Sequence, residues 1–229
     1  MTKADAGWVE FLYKDVGTGT HALAGRSPGE TVNMIGPIGT PFAAGRSRPR
    51  TLLLGGGVGI PPMVFLADRL RADTHWKPLV LMGSEVPFPF TTRPSSILVP
   101  GMPAAVIAAM PLLEDWGIPS RLASLQGYPG CFDGYVTDLA RHWLDALDES
   151  TRRQVGIYAC GPHPMLEAVV NLARWYDVEP ESVLRETNKR FRERFSHIER
   201  RVHEQGLDMS KMTLSQLDEY WDEAKRYSA

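Results

Sequence analysis

Cysteine is nearly absent. Cys131 and Cys160 are the only two in 229 residues. Two thiols cannot build a disulfide framework, and an iron–sulfur cluster held by cysteines needs four thiolates, so none is expected. No apolar run approaches the roughly 18 residues that suggest a membrane span. The N-terminal MTKADAGWVEF lacks the apolar centre of a signal peptide. An excess of one charge is also missing. Lys plus Arg number 25 against 27 Asp plus Glu, a net charge of -2, which makes no case for nucleic acid as the main partner. The expectation is a cytoplasmic protein with free thiols and no membrane or nucleic-acid partner.

What is present is ordinary globular composition, 43% hydrophobic and 23% charged, with glycine and proline concentrated before about residue 170. From about residue 181 the chain becomes dense in Arg, Lys and Glu with helical periodicity. Three parts are expected: 1–48, 49–178 and 179–229.

In the first part WVEFLY (8–13) reads as a strand. Glycine turns follow in DVGTGTHAL and GETVNMIGPIGTPF. Short strands broken by Gly and Pro suggest a piece of an antiparallel β-barrel, although residues 1–45 cannot supply a whole one. In the second part the pattern changes. TLLL (51–54), KPLVLM (77–82), SRLASL (120–125) and QVGIYAC (154–160) are short apolar runs, as expected of strands buried on both faces. Helical patterns at 61–70, 135–147 and 165–175 alternate with them. This predicts an α/β fold with a parallel sheet between helices.

Two strand ends carry the chemistry. TLLLGGGVGIPPM ends its strand at Leu54, turns through Gly55, Gly56, Gly57 and Gly59, and starts a helix at two prolines. A helix N-terminus offers N–H groups and partial positive charge, and glycine lets another backbone or a phosphate approach. A pyrophosphate cradle fits, and so does a tight turn with no ligand. YACGPHPMLEA (158–168) repeats the design, and two such turns can face each other across one crevice. GSEVPFPFTTRPSSILVPGMP (83–103) is a long excursion whose phenylalanines either cover that crevice or pack within the loop. The charges of LARHWLDALDESTRR (139–153) read as a solvated helix face.

GGGVGIPPM followed about a hundred residues later by CGPHPM resembles the NAD(P)-binding half of the ferredoxin-reductase family. LYKDVGTGT (12–20) and GPIGTPF (36–42) resemble its flavin-domain segments. Within the family, the electron-transfer subunits of dihydroorotate dehydrogenases are the nearest match, over residues 8–175. The resemblance implies a flavin- and NAD(P)-dependent oxidoreductase passing hydride from NAD(P)H to FAD, with a dehydrogenase partner subunit. Leu12, Tyr13 and Lys14 would line the flavin, with Gly19 and Thr20 near its diphosphate. Gly55, Gly56, Gly57 and Gly59 would face the NAD(P) pyrophosphate. Cys160, Gly161 and Pro162 would border the nicotinamide. The family's earlier barrel strands and cysteine cluster have no counterpart here, so impaired FAD retention is expected.

The last part has a different kinship. Phe191, Phe195, Ile198 and Val202 form one apolar stripe on a charged helix, and TLSQ (213–216) has the form of a capping box before Leu214, Leu217, Trp221 and Ala224. Two amphipathic helices packing on a core or a partner would explain this. Residues 169–226 are also similar to the C-terminal end of MazG-type nucleoside triphosphate pyrophosphohydrolases. That resemblance puts Arg190, Arg194 and Trp221 on a nucleotide, with Glu193 in place of the family's middle arginine. Its last acidic metal-binding pair would fall on Gly161 and Pro164, which supply no carboxylate, so no metal site is expected and hydrolysis is not expected. The alternatives to a reductase are therefore such a hydrolase and a non-catalytic module that binds nucleotide or forms a homodimer through its helical tail.

Overall fold

An apolar run followed by a glycine turn and a helix places a strand inside a parallel sheet. The computed structural model shows this arrangement at residues 50–70 and again at residues 155–175. It describes residues 7–34, 41–42, 44–176, 196–207, 212, 216, 220 and 223. In chain order the elements are α1 (Thr18–Ala24), β1 (Arg50–Gly56), a 3₁₀ turn (Gly57–Gly59), α2 (Ile60–Leu70), β2 (Lys77–Gly83), β3 (Arg93–Pro94) and β4 (Ala108–Ala109). Then come α3 (Pro111–Asp115), β5 (Ser120–Ser124), β6 (Phe132–Asp133), α4 (Val136–Asp145), α5 (Glu149–Arg152), β7 (Val155–Cys160) and α6 (His163–Trp175).

Five strands form one parallel sheet in the order β6-β5-β2-β1-β7. Its centre is the run that is apolar throughout. Leu52, Leu53 and Leu54 of β1 are fully buried. Their alternation divides the core into two layers. Leu52 and Leu54 join Leu79, Leu81, Val155 and Ile157 under α4 and α6. Leu53 joins Val80, Met82 and Tyr158 under α2. Each helix matches its layer by periodicity. Ile60, Met63, Val64 and Ala67 of α2 face one side; Val136, Leu139, Ala140, Trp143 and Leu144 of α4 face the other. The mixed α/β fold with a parallel sheet is as the sequence leads one to expect.

The barrel expected in 1–48 does not form among the described residues there. Trp8 makes an isolated bridge, the backbone from 9 to 16 is irregular, and Thr18–Ala24 is helical rather than a turn. The physical reason is the lack of partners. WVEFLY has strand propensity, but a strand without a neighbour leaves its ladder groups unpaired and its side chains unburied. Trp8, Val9, Phe11, Leu12 and Tyr13 are all at least two-fifths exposed.

The linker before β1 is better anchored. Arg48 donates to Val155 O at 3.2 Å, Arg46 pairs with Asp73 at 3.2 Å, and Phe42 packs edge-on to Tyr158.

The long excursion is held from α3 and β5, with Glu114 making most of the contacts. Glu114 of α3 accepts from Ser96 N (2.6 Å), Ser96 Oγ (2.7 Å) and Ser95 Oγ (2.9 Å). Arg93 pairs with Asp115, and buried Arg121 donates to Ile97 O at 2.7 Å. Burial raises the Glu114 pKa, but the hydrogen bonds from Ser96 and Ser95 outweigh it and the net shift is downward. A depressed carboxylate contributes stability above its ordinary range, and the contribution is lost as pH falls through the lower folded value. Glu114→Gln is therefore expected to cost about 1–2 kcal/mol in urea unfolding at pH 7, as for hydrogen bonds to a charged group in a partly exposed setting. The difference from the native chain shrinks below the ordinary carboxylate pKa of 4.5. A pH-independent difference refutes the assignment.

The chain divides into two units. One is Met1–Val32 with Phe42–Glu181, which holds the sheet; the other is Asn33–Pro41 with Ser182–Ala229. In the second, residues 196–204 are helical, and Ile198 and Val202 are buried with Met212 and Tyr220 against them. Arg201 Nε donates to Glu223 Oε1 at 2.9 Å, and Tyr220 OH donates to Gln205 Oε1 at 2.5 Å. Arg190, Arg194 and Trp221 lie outside the described residues, as do Phe191, Phe195, Leu214, Leu217 and Ala224.

Candidate functional site

The sheet order reverses at one place. From β1 the chain passes to β2, β5 and β6, then returns to the other side of β1 as β7. The turn after β1 leads to α2 on one face, and the turn after β7 leads to α6 on the other. At such a switch point the two connections separate and a crevice opens at the carboxyl ends of the strands. Gly55 and Cys160 are partners in register at its floor.

The two turns touch, and that contact explains most of the glycines. A Cβ on Gly59 would stand 2.0 Å from Cys160 O, and one on Gly56 would stand 2.5 Å from Met165 Sδ. On Gly161 it would meet Met165 Sδ at 2.7 Å, and on Gly55 it would meet Ile60 Cα at 2.9 Å. These four glycines are filled by the protein itself. Gly57 is different: its φ is +53°, and a Cβ there would meet nothing within 4 Å. Of the glycines at the crevice, Gly57 alone combines a left-handed backbone with open space, the condition for a ligand's close approach.

The helix start is less generous than its position suggests. Pro61 and Pro62 in the first turn of α2 carry no N–H. Ile60 N–H donates to Gly57 O. The i→i+3 bonding of the 3₁₀ turn also draws Gly59 N–H toward Gly56 O, so the amides at the start of the helical stretch that can face an anion are those of Gly57 and Val58. Pro162 and Pro164 thin the start of α6 in the same way.

The turns at this edge supply no Lys or Arg in compensation: residues 57–59, 84–92, 125–131, 134–135 and 161–162, which leave β1, β2, β5, β6 and β7, contain none. Apolar side chains stand there instead. Val58, Val86, Leu125 and Tyr135 follow β1, β2, β5 and β6, and each is about half exposed or more. This rim escapes sequence reasoning because the four residues come together only through the sheet order. Such an edge suits a ligand with flat, largely apolar rings joined by an anionic link gripped by backbone.

Cys160 ends β7 half-buried against the α2 layer, and burial pushes its thiol up. Cys131 is raised for the same reason. Both are free thiols. Phe88 and Phe90 pack on each other with ring centroids 5.4 Å apart, and Tyr128 lies 6.4 Å from Phe88. All are at the margin of the α2 side or its loops, so these phenylalanines pack the loop. Among the described residues, no group of three or more His, Cys, Asp or Glu is placed to hold a metal. No helix there is long and apolar enough to cross a membrane.

The residues assigned to a flavin are not gathered into a pocket. Leu12 and Tyr13 are each 41% exposed and Lys14 is exposed. Gly19 and Thr20 lie in the first turn of α1, which buries no residue. Thr20 Oγ1 is occupied within that turn: it accepts from Val16 N and Gly17 N at 3.0 Å and donates to Gly17 O. As arranged, these five do not fit a flavin. On the side of the two glycine turns, Gly57 leaves open space and the amides of Gly57 and Val58 precede the prolines.

No family model matches the chain. It is 31% identical over 161 residues to the electron-transfer subunit of dihydroorotate dehydrogenase B (NAD(+)) of Geobacillus sp. (strain WCH70), covering 69% of this chain and 52% of that one. The same subunit of Listeria welshimeri is 32% identical over 163 residues, with 69% and 53% covered. The chain thus spans about half the length of these curated relatives. A separate similarity, 48% over 61 residues, links 27% of the chain to 12% of the uncharacterized protein YabN of Bacillus subtilis. That name carries no activity, and nothing in these names supports the pyrophosphohydrolase resemblance of the tail. Among solved structures, the ferredoxin reductase of carbazole 1,9a-dioxygenase superposes with a TM-score of 0.44 at 20% identity, covering 63% of this chain and 39% of that one.

Proposed function

We propose that the chain binds a nicotinamide dinucleotide in the crevice between the turns after β1 and β7, as the nucleotide-binding part of a flavin-dependent oxidoreductase. The observation that carries this reading is the meeting of two glycine turns at the switch point, with Gly57 open where the other glycines are filled. The similarity to electron-transfer subunits over 69% of the chain supports the reaction class and a dehydrogenase partner.

The residues then take distinct tasks. The amides of Gly57 and Val58 hold the diphosphate, aided by the partial positive charge of the helix start. Gly56, Gly59 and Gly161 let the two turns meet and so fix the width of the crevice, while Gly55 lets the first turn close on Ile60. Cys160, Gly161 and Pro162 form the wall beside the nicotinamide. Cys160 keeps its proton because burial raises its pKa, so the wall is neutral. A thiolate there would favour the cationic oxidised ring over the reduced one. Bound in this place, NADH supplies a hydride to an acceptor.

Titrating the full chain with NADH by calorimetry tests the reading. Saturable binding is expected with a Kd between about 1 μM and 1 mM, the usual range for such substrates. Alkylation gives a second readout. Both thiols should react slowly at pH 7 and faster above the ordinary thiol range, and NADH should protect Cys160 but not Cys131. Absence of binding to 5 mM, roughly beyond that range, rejects the site.

A further inference from the structure

We infer that Met165 is the joint between the two glycine turns, and that a peroxide converting its thioether to the sulfoxide opens the crevice and expels the dinucleotide. The release of nucleotide rests on the reading of the crevice as a dinucleotide site; the parting of the turns does not.

Met165 is the third residue of α6, and its sulfur fills the place that side chains at two glycines would need. A Cβ on Gly56 would lie 2.5 Å from Met165 Sδ, and one on Gly161 would lie 2.7 Å from Sδ and 3.1 Å from Cε. The same Cβ on Gly161 would stand 3.3 Å from Gly56 Cα. The sulfur thus touches both turns where they come together. The helix that carries it is fixed. Val169, Leu172 and Ala173 of α6 are buried in the layer of Leu52 and Leu54, and Met165 packs against that layer. A thioether suits the place because it is unbranched and polarizable and fills an irregular gap between backbones.

The same place leaves the sulfur open to oxidation. Met165 is half-buried, whereas Met63 and Met82 in the α2 layer are fully buried. In the step the O–O bond of the peroxide breaks, one oxygen bonds to Sδ, and the other leaves as water or an alcohol. The sulfur is oxidised by the electron pair that reduces the peroxide. The product is polar where the thioether was apolar. Its oxygen needs room that the two glycines do not leave, and a hydrogen-bond donor. The amides of Gly57 and Val58, next along the chain from Gly56, are such donors, and the diphosphate needs them. Oxidation therefore parts the turns and competes for the donors to the anion. Cys160 is the weaker target, because burial keeps its thiol protonated and thiols react as thiolates.

The test compares the full native chain, Met165→Leu and Met165→Gln before and after hydrogen peroxide, with oxidised methionines located by peptide mass spectrometry. In the native chain Met165 should take up one oxygen while Met63 and Met82 stay reduced. NADH affinity by calorimetry should then fall about tenfold or more, and Cys160, returned to the thiol by dithiothreitol, should alkylate about threefold faster without nucleotide as access opens. Methionine sulfoxide reductases acting on both epimers should reverse both changes, and dithiothreitol alone should not. Met165→Leu, similar in volume and free of sulfur, should bind NADH within about threefold of the native chain and ignore peroxide. Met165→Gln, similar in length and polar, should behave as the oxidised chain without peroxide. Peroxide sensitivity that persists in Met165→Leu, a Met165 that stays reduced, or a sulfoxide that changes neither reading overturns the inference and leaves the dinucleotide site standing. If the untreated native chain binds no NADH, the dinucleotide reading falls and the release of nucleotide with it. Cys160 alkylation then still decides whether Met165 joins the turns.

Discussion

Gly59→Ala is expected to unfold the crevice, and Gly57→Ala, two residues away, is not. At Gly59 the new methyl carbon would lie 2.0 Å from Cys160 O, 2.3 Å from Cys160 C and 2.7 Å from Gly161 N. All three are backbone atoms, so no rotamer change relieves the overlap. The turns must separate, which breaks the pairing of β1 with β7 near Gly55 and Cys160 and opens the Leu54 layer. Overpacking a core costs about 1–3 kcal/mol when side chains can yield; with backbone on both sides the expected cost is about 4 kcal/mol or more. Against a total stability of about 5–15 kcal/mol this lowers the thermal midpoint by roughly 10 °C or prevents folding. At Gly57 the space is open and the cost is only the left-handed backbone, about 1–2 kcal/mol. Gly57→Ala should therefore fold, yet bind NADH more weakly because the methyl group occupies the approach to the diphosphate. Comparable stability losses in the two variants would falsify the division of the glycines into packing and ligand-facing roles.

That division was not legible in the sequence. GGGVGIPP and CGPHP show that two strand ends need little side chain, and the apolar runs at 51–54, 77–82, 120–125 and 154–160 mark four of the five parallel strands to within a residue or two. Those strands are readable because a strand buried on both faces must be apolar throughout. Phe132–Asp133, the fifth, is too short for any periodicity, as are β3 and β4; they are set by what lies beside them. Why each glycine is a glycine depends on which backbone comes within 3 Å, and that follows from β7 returning to the side of β1. The opposite error fell on WVEFLY, whose large β-branched and aromatic residues suggest a strand while no partner strand is found among the described residues.

Mixed with excess FAD and then desalted, the chain is expected to keep little flavin, well below one per chain, while still binding NADH. An isoalloxazine is held by burying its rings and a flavin diphosphate by donors aimed at it. Among residues 7–34 only Thr20 is even half-buried, and its hydroxyl is already spent on the start of α1. Ordering an exposed segment around a ligand costs about 1–2 kcal/mol per residue fixed, so shaping residues 12–20 into a flavin site would consume much of the binding energy. The nicotinamide side carries no such cost, because Gly55–Gly59 and Cys160–Pro162 are fixed by the sheet and by each other. The two halves of the resemblance should therefore separate in one experiment. The desalted protein shows little absorbance near 450 nm, and the same sample gives saturable NADH binding by calorimetry. A stoichiometric yellow band that bleaches on anaerobic addition of NADH would mean that residues 7–34 reorganise around the flavin. The N-terminal stretch would then be an order-on-binding segment, with the reductase reaction complete within this chain.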